Sequence, residues 1–265
     1  MSILDEIFAH KRLEVAESRR LRPLPEVERA ASLAPPARNF VSALRETKAL
    51  HASPALIAEI KRASPSRGAL APHLDPPGLA RIYRENGAAA ISVLTDRQYF
   101  QGSLDDLLEV RQAGIGLPIL RKDFIFDPYQ VYEARAAGAD AILLIVAGLE
   151  AVSLVELHEL ICALGMTLLV EVHNQQELEI ALACRPILVG VNNRNLHDFS
   201  VDLDTSLALR PMIPPEICMV AESGIHTPAD VQRLAAAGVD AILVGEALVT
   251  AGDIPAQVRR LACCG

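Results

Sequence analysis

Eight short apolar runs, rich in Val, Ile, Leu and Ala, recur along the chain. They begin roughly 20 to 33 residues apart, which leaves room for a strand, a helix and two short loops in each repeat. Because the runs are nearly continuous instead of alternating with polar residues, they predict parallel strands covered on both faces. The predicted strands comprise residues 55–61, 88–95, 118–124, 141–147, 167–172, 187–192, 218–223 and 241–247.

Amphipathic stretches lie between these runs, and several end at a glycine suited to a left-handed helix cap. The segment Ala-Ala-Gly-Ala-Asp-Ala-Ile-Leu at 136–143 returns with one change at 236–243, so one helix-to-strand junction is used twice. Eight such units predict an α/β fold, the (β/α)8 TIM barrel, since no G-x-G-x-x-G follows the first strand to favour a dinucleotide-binding sheet. The clearest predicted helices are 104–114, 128–138, 149–165 and 227–238.

The first 50 residues fall outside this repeat. Apolar and charged positions at helical spacing predict two helices, at about 2–20 and 37–48, separated by the proline-containing stretch 21–38. We expect these residues to form an N-terminal helical extension packed over one end of the barrel. The whole chain, 1–265, is then one domain, with the extension at 1–50 and the barrel at 51–265, a size ordinary for this fold.

Composition and charge limit the classes of partner. Hydrophobic residues make up 51% of the chain, but no apolar run approaches the roughly 18 residues that a membrane span requires. The formal net charge of −8 disfavours nucleic acid and membrane surfaces as partners. The five cysteines form no C-x-x-C pair, so no disulfide framework or metal site is expected. The first 20 residues alternate apolar and charged positions, a pattern not expected of a secretory signal. We expect a cytoplasmic monomer or weak homo-oligomer that binds an anionic small molecule at a locally positive site.

Most predicted strands acquire polar residues only near their C-terminal ends. In a (β/α)8 barrel the active site is built at that end, so these side chains should meet at one barrel mouth. Residues two apart share a strand face, so Glu59 should point with Lys61, and Lys122 with Phe124. Unpaired burial of such charges is costly, so they either meet a charged ligand or form ion pairs that fill the barrel. The polar residues at these ends are Glu59, Lys61, Lys122, Glu171, Asn192, Arg194, Glu222 and Ser223.

The loops after the last two strands carry a second pattern, Glu-Ser-Gly-Ile at 222–225 and Gly-Glu-Ala-Leu at 245–248. Glycines let backbone N–H groups approach a ligand, and a helix N-terminus after the eighth strand favours an anion. The pattern predicts a phosphate site, to which the hydroxyl of Ser64 adds a donor. The alternative interpretation is that these glycines and Ser64 belong to ordinary tight turns.

An ordered series of motifs joins both patterns. It begins with Glu-Ile-Lys-Arg-Ala-Ser-Pro-Ser at 59–66 and continues through 92–103, 120–125, 169–173, 190–196 and 221–225. This series resembles the indole-3-glycerol-phosphate synthase family of tryptophan biosynthesis, from the N-terminal helix to the eighth strand. The resemblance implies a lyase that converts 1-(2-carboxyphenylamino)-1-deoxyribulose 5-phosphate to indole-3-glycerol phosphate by loss of carbon dioxide and water, with no cofactor.

The resemblance also implies roles for single residues. Lys122 is the general acid that protonates the ketone oxygen, a role for which a lowered pKa would suit it. Glu171 accepts a proton in the steps that end in loss of water, and Asn192 hydrogen-bonds substrate oxygens. Lys61, paired with Glu59, has two tasks open to it: attracting the substrate carboxylate, or protonating the leaving hydroxyl.

The resemblance further implies that different residues bind the aromatic ring, the sugar chain and the phosphate of the substrate. Arg194 and Glu222 resemble family positions that brace the site or bind the sugar chain. Glu246 can bind the phosphate only through its backbone N–H, because its carboxylate should turn away from a phosphate. Gln101 stands at a position where the resemblance suggests Asn. The implied binding residues are Phe100 and Phe124 for the ring, Arg194, Glu222 and Ser223 for the chain, and Ser64, Gly224, Gly245 and the N–H of Glu246 for the phosphate.

Two other functions are compatible with a phosphate-binding barrel. A phosphoribosylanthranilate isomerase is expected to use a Cys and Asp pair as base and acid, whereas this chain presents Lys61, Lys122 and Glu171. A non-catalytic phosphosugar-binding barrel would be free to lose those residues. His173 is assigned to the strand face opposite Glu171, where we expect it to lie at the surface or to support the site from behind the residues that contact the substrate.

Overall fold

A computed structural model describes residues 3–195 and 198–262. The predicted helix start at residue 2, the motif residue Leu196 and the last three residues of the predicted domain lie outside the described residues. Within the described part of the chain, no helix combines the length and the apolar character needed to cross a membrane.

Helices and strands alternate along most of the chain. Two short 3-10 turns, Val146–Gly148 and Arg210–Met212, join them. In chain order the elements are α1 (Ile3–Leu21), α2 (Leu24–Leu33), α3 (Phe40–His51), β1 (Ala55–Ile60), β2 (Ala63–Ser64), β3 (Gly68–Ala69), α4 (Pro76–Glu85), β4 (Ala90–Leu94), α5 (Leu104–Gln112), β5 (Ile119–Lys122), α6 (Pro128–Ala137), β6 (Ala141–Ile145), α7 (Ala151–Ala163), β7 (Thr167–Val172), α8 (Gln175–Ala183), β8 (Leu188–Asn192), α9 (Asp204–Leu209), β9 (Cys218–Glu222), α10 (Pro228–Ala236), β10 (Ala241–Val244), α11 (Glu246–Val249) and α12 (Ile254–Ala262).

Strands β1 and β4 to β10 form a closed parallel barrel in the order β1-β10-β9-β8-β7-β6-β5-β4. Each of these strands overlaps one of the eight predicted apolar runs, so the predicted (β/α)8 barrel is confirmed. The short strands β2 and β3 pair antiparallel and make the loop after β1 a small hairpin.

Alternate residues of each strand enter two different cores. Leu56, Ile91 and Ile142 pack in the layer between the barrel and the surrounding helices. Ile57 and Leu120 pack in the barrel interior, as the two-residue period of a strand requires. The polar residues that share the interior-facing parity, such as Glu59 and Lys122, therefore point along the barrel axis toward its mouth.

The N-terminal extension closes both ends of the barrel, and the prediction that it packs over one end is wrong. Helix α3 lies at the N-terminal ends of the strands, where the Lys48 Nζ is 2.6 Å from the carboxylate of Asp240, just before β10. Helix α1 lies across the opposite mouth, where Phe8 packs edge-on against Phe124 with ring centroids 5.8 Å apart. The barrel core thus continues into a helix at each end.

Helix α2 occupies the stretch that was predicted to be a proline-rich connection. Its prolines, Pro23 and Pro25, stand at the N-cap and in the first turn, where a missing N–H costs no helical hydrogen bond. The helix packs against α6, and Arg135 donates hydrogen bonds to the carbonyls of Ala34 and Pro35 just beyond it.

Candidate active site

A cavity of about 350 Å³ opens at the C-terminal ends of the barrel strands. The βα loops and helix α1 form its rim. Every residue that the sequence predicted for the site lines this cavity: Glu59, Lys61, Ser64, Phe100, Lys122, Phe124, Glu171, Asn192, Arg194, Glu222, Ser223, Gly224, Gly245 and Glu246.

Lys122 is the centre of the charged group at the mouth. Its Nζ lies 3.0 Å from Oε2 of Glu171 and 2.8 Å from Oε2 of Glu222, so three strands converge on one ammonium. The amide of Asn192 donates to Oε1 of Glu171 over 3.1 Å. Oε1 of Glu222 is buried without a hydrogen-bond partner among the described residues, so this group keeps an unused acceptor beside the cavity.

Glu59 and Lys61 form the second pair that strand parity predicted, with 3.0 Å between Oε1 of Glu59 and Nζ of Lys61.

Two glycines make room for the carboxylates of the site. A Cβ at Gly245 would lie 2.3 Å from Oε1 of Glu59, and one at Gly190 would lie 2.2 Å from Oε1 of Glu222. Any larger residue at either position would displace a carboxylate.

The charges around Lys122 determine its protonation state. Burial alone would lower the pKa of its ammonium, but the carboxylates of Glu171, Glu222 and Glu59 outweigh burial and raise it, so the lowered pKa that would suit a general acid is not found in the unliganded site. Burial likewise opposes ionisation of Glu171, yet Lys122 lowers the pKa of that carboxyl. For Glu222 burial prevails over Lys122 and raises the pKa to about 7.

Aromatic and aliphatic side chains form an apolar wall of the cavity. The rings of Phe100 and Phe124 lie 6.0 Å apart at an interplanar angle of 38°. Helix α1 contributes Ile3, Leu4 and Ile7 to the same wall. The sequence predicted this helix, but the strand ends that it packs against are distant along the chain. Its three cavity-lining residues were therefore missed.

The loops after β1, β9 and β10 meet at the other end of the cavity. Ser223 and Gly224 both have left-handed backbone conformations, with φ of 67° and 77°. For Ser223 this conformation is strained, a feature that recurs at ligand-binding sites. Gly245 precedes the single turn of α11, and the side chain of Ser64 is buried nearby.

An arginine from the first loop reaches this end of the cavity and was missed by sequence reasoning. The guanidinium of Arg67 donates from Nε and Nη2 to Oε1 of Glu246 over 2.9 and 2.8 Å. Arg194 approaches the other oxygen of Glu246 at 4.0 Å. The side chain of Glu246 is therefore directed to two arginines, and Arg67 is a cation that a bound anion would also meet.

His173 lies against Glu171, and its assignment to the opposite strand face is wrong. The two residues are two apart and share a face, so the signal was present in the spacing. Nε2 of His173 is 3.3 Å from Oε1 of Glu171.

In residues 3–195 and 198–262, no group of three or more His, Cys, Asp or Glu side chains is arranged to hold a metal ion.

Comparison with known proteins gives an unambiguous family. A family model described as "Indole-3-glycerol phosphate synthase" matches residues 4–261. A protein of that name from Dehalococcoides mccartyi is 57% identical over 208 residues, which cover 78% of this chain and 80% of the relative. Another from Polaromonas sp. is 52% identical over 251 residues, covering 95% and 94%, and one from Roseiflexus castenholzii is 51% identical over 267 residues, covering 98% of each.

Solved structures with a similar fold are more distant in sequence. An N-acetylmannosamine-6-phosphate 2-epimerase from Clostridium perfringens superposes with a TM-score of 0.60 at 18% identity, covering 79% of this chain and 90% of that chain. A thiamine phosphate pyrophosphorylase from Pyrococcus furiosus gives a TM-score of 0.58 at 18% identity, covering 80% and 94%. At this identity the likeness shows the fold alone.

Proposed function

This chain belongs to the indole-3-glycerol phosphate synthase family and is a carboxy-lyase of tryptophan biosynthesis, and from that premise we propose how its cavity carries out the reaction. The substrate is 1-(2-carboxyphenylamino)-1-deoxyribulose 5-phosphate, and the product is indole-3-glycerol phosphate. The carboxylate-bearing ring carbon attacks the sugar ketone, carbon dioxide leaves to restore the aromatic ring, and loss of water completes the indole.

Lys122 acts as the general acid of ring closure. When the new carbon–carbon bond forms, the ketone's π electrons move to its oxygen, which becomes strongly basic and takes a proton from the ammonium. Its raised pKa keeps Lys122 protonated before the reaction, so the proton is present when that charge develops. The 3.0 Å contact with Glu171 and the 2.8 Å contact with Glu222 keep the donor in place.

Glu171 acts in the later steps. After decarboxylation, the hydroxyl of the former ketone carbon leaves as water, and a proton is removed from the neighbouring carbon so that the indole double bond forms. Glu171 is buried beside the cavity and ionised, as a proton acceptor must be. Asn192 hydrogen-bonds Glu171 in the free enzyme and is positioned to reach substrate oxygens from the same strand end.

Lys61 keeps two tasks, attraction of the substrate carboxylate and protonation of the leaving hydroxyl. Its 3.0 Å ion pair with Glu59 supports either task, because the pair keeps the ammonium charged and oriented at the mouth.

The remaining predicted residues bind the substrate. Phe100 and Phe124 hold the anthranilate ring against the apolar wall. The phosphate lies at the opposite end, where the loops after β1, β9 and β10 supply Ser64, Gly224, Gly245 and the N–H of Glu246. The sugar chain of the substrate lies between the ring and the phosphate. Arg194, Glu222 and Ser223, which line the cavity, bind this chain.

The observation that carries this proposal is the contact of Lys122 with Glu171 and Glu222 inside a cavity that has an apolar wall at one end and glycine-containing loops at the other. Incubation of the purified protein with the carboxyphenylamino sugar phosphate should produce indole fluorescence and one equivalent of carbon dioxide. Tight binding of the substrate without either product would identify a phosphosugar-binding barrel, and the proposal would then be abandoned.

A further inference from the structure

Glu171, His173 and Glu177 form a chain of charges that runs from the cavity to helix α8. His173 follows the last residue of β7, and its side chain is only 10% exposed. On one side, Nε2 is 3.3 Å from Oε1 of Glu171. On the other side, Nδ1 is 2.9 Å from Oε2 of Glu177, which also accepts the main-chain N–H of His173 over 2.8 Å. The imidazole is therefore enclosed between two carboxylates.

Glu177 is itself fixed by the N-terminus of α8. Asn174 caps the helix by accepting the N–H of Glu177 over 2.9 Å, and its amide donates to Oε1 of Glu177 over 2.7 Å. With one oxygen held by Asn174 and the other by His173, Glu177 has little freedom to rotate. Glu177 therefore fixes the orientation of the His173 ring, and it does so from the side that faces away from the cavity.

The two carboxylates also determine the charge of the ring. Burial would lower the pKa of His173, but the contacts with Glu171 on β7 and Glu177 on α8 raise it to about 10. Both ring nitrogens are therefore donors at neutral pH. The contact of Nε2 with Glu171 is an ion pair rather than an aligned hydrogen bond, and Nε2 has no other partner among the described residues.

We propose that His173 is a positioning residue for the reaction, whose imidazolium, anchored by Glu177, holds Oε1 of Glu171 so that Oε2 faces Lys122 and the substrate. The inference deepens the proposed function and rests on Glu171 being the proton acceptor. Oε1 receives His173 and Asn192, while Oε2 contacts Lys122, so the two oxygens of Glu171 have separate surroundings. A second cation beside Glu171 also favours its ionised form, which is the form needed when a turnover begins.

The test is the pH dependence of turnover in variants of His173. His173→Leu removes the charge and both donors, so we expect kcat to fall roughly tenfold through loss of orientation, with KM nearly unchanged because His173 does not contact the substrate. The acid limb of the kcat profile should move to higher pH, since Glu171 is easier to protonate without the imidazolium beside it. His173→Gln returns an N–H donor without the charge, so it should recover much of kcat near neutral pH but keep the displaced acid limb.

Helix α8 offers a matched pair of carboxylates. Glu177→Gln should give a smaller displacement of the acid limb in the same direction, because it loosens His173. Glu179→Gln is the control, since the carboxylate of Glu179 accepts from Gln175 on the outer side of the same helix. Glu179→Gln should leave both kcat and its pH profile unchanged.

The outcomes separate this inference from the proposal on which it rests. If Glu171→Gln is inactive while the His173 variants keep the wild-type kcat profile, the role of Glu171 stands and the inference is wrong. If Glu171→Gln turns over normally, both fail together. Should His173→Leu not fold, the profile of His173→Gln decides, and an acid limb in the wild-type position overturns the inference.

Discussion

Strand β5 connects two buried groups of charges that differ in how completely they satisfy one another. The mouth cluster, Glu59, Lys61, Lys122, Glu171 and Glu222, lines the cavity. Its Lys61 and Lys122 side chains are 15% and 14% exposed, and Oε1 of Glu222 has no partner among the described residues. The cluster thus keeps donors and an acceptor that a substrate can use.

The anchor cluster, Lys11, Asp96, Arg121 and Asp123, lies on the other face of the same strand end. Arg121 and Asp123 flank Lys122. Arg121 donates to the carbonyl of Gln130 on α6, and Asp123 faces helix α1, where the Nζ of Lys11 is 2.7 Å from Asp96 and 3.1 Å from Asp123. Arg121 contacts the second oxygen of Asp123 at 3.1 Å.

Asp123 is the most completely paired carboxylate of the anchor cluster. Thr95 donates to one of its oxygens over 2.6 Å, and the N–H of Phe124 donates to the other over 2.8 Å. In the anchor cluster each carboxylate contacts a cation of the cluster, Oδ2 of Asp96 through its ion pair with Lys11 alone, and these contacts fasten α1 over the mouth. In the mouth cluster, Oε1 of Glu222 has neither a hydrogen bond nor an ion pair among the described residues and lies beside the cavity, where a ligand can use it. Substitutions in the two clusters should therefore damage different properties.

The largest expected effect is on turnover in the mouth cluster. Lys122→Ala should lower kcat about 10²- to 10⁴-fold, because it removes the positioned proton donor. It should also lower stability, because Glu171 loses the ammonium beside it, but uptake of a proton by Glu222, whose pKa is about 7, should limit that loss. Turnover is measured by indole fluorescence and stability by urea unfolding. Near-normal turnover would transfer the acid role to Lys61.

The next effect is on stability in the anchor cluster. Lys11→Met leaves Asp96 and Asp123 buried without their ammonium, so the free energy of unfolding should fall by about 3–5 kcal/mol. The control is Lys48→Met in α3, whose half-buried ion pair with Asp240 holds a single carboxylate, so its loss should cost less, about 1 kcal/mol. The double variant Lys11→Met/Asp123→Asn should lose less than the sum of the two single losses. Equal losses in Lys11→Met and Lys48→Met would contradict the distinction between the clusters.

The two clusters also differ in what the sequence could reveal. Strand parity and the position of strand ends were sufficient to predict that Glu59 and Lys61, and Lys122 with Glu171, meet at the mouth. The same parity applied to His173 would have brought it to Glu171. The charge state of Lys122 could not be predicted in this way. Whether its pKa is raised or lowered depends on three carboxylates that come from three other strands.

The anchor cluster could not be predicted from local pattern. Lys11 occupies a helix face where alternating charges usually contact water, and its partners follow strands β4 and β5, far along the chain. Nothing in the spacing of α1 indicates which end of the barrel it covers. Its burial and that of α3 at the opposite end follow from tertiary packing, which overrides the local preference.

The smallest expected effect is a pH dependence of stability that has opposite signs at two residues, Asp123 of the anchor cluster and Glu222 of the mouth cluster. Burial would raise the pKa of Asp123, but Lys11 and Arg121 outweigh burial and lower it to about 2. A carboxyl whose pKa is lower in the folded state stabilises the protein above its unfolded pKa of about 4, and that contribution is lost as pH falls toward about 2. The stability difference between wild type and Asp123→Asn should therefore narrow in acid, by at most about 1.4 kcal/mol per pH unit.

Glu222 supplies the opposite case in the mouth cluster. Its pKa is raised to about 7 by burial, so its ionisation destabilises the folded state progressively as pH rises from about 4.5 to about 7. Over that interval Glu222→Gln should gain stability relative to wild type, while Asp123→Asn should show no such gain. Urea unfolding of wild type and both variants from about pH 3 to about pH 8 measures both slopes. Parallel slopes for the two variants would mean that Asp123 and Glu222 are equally well stabilised in their ionised forms, and the contrast between these two carboxylates would be wrong.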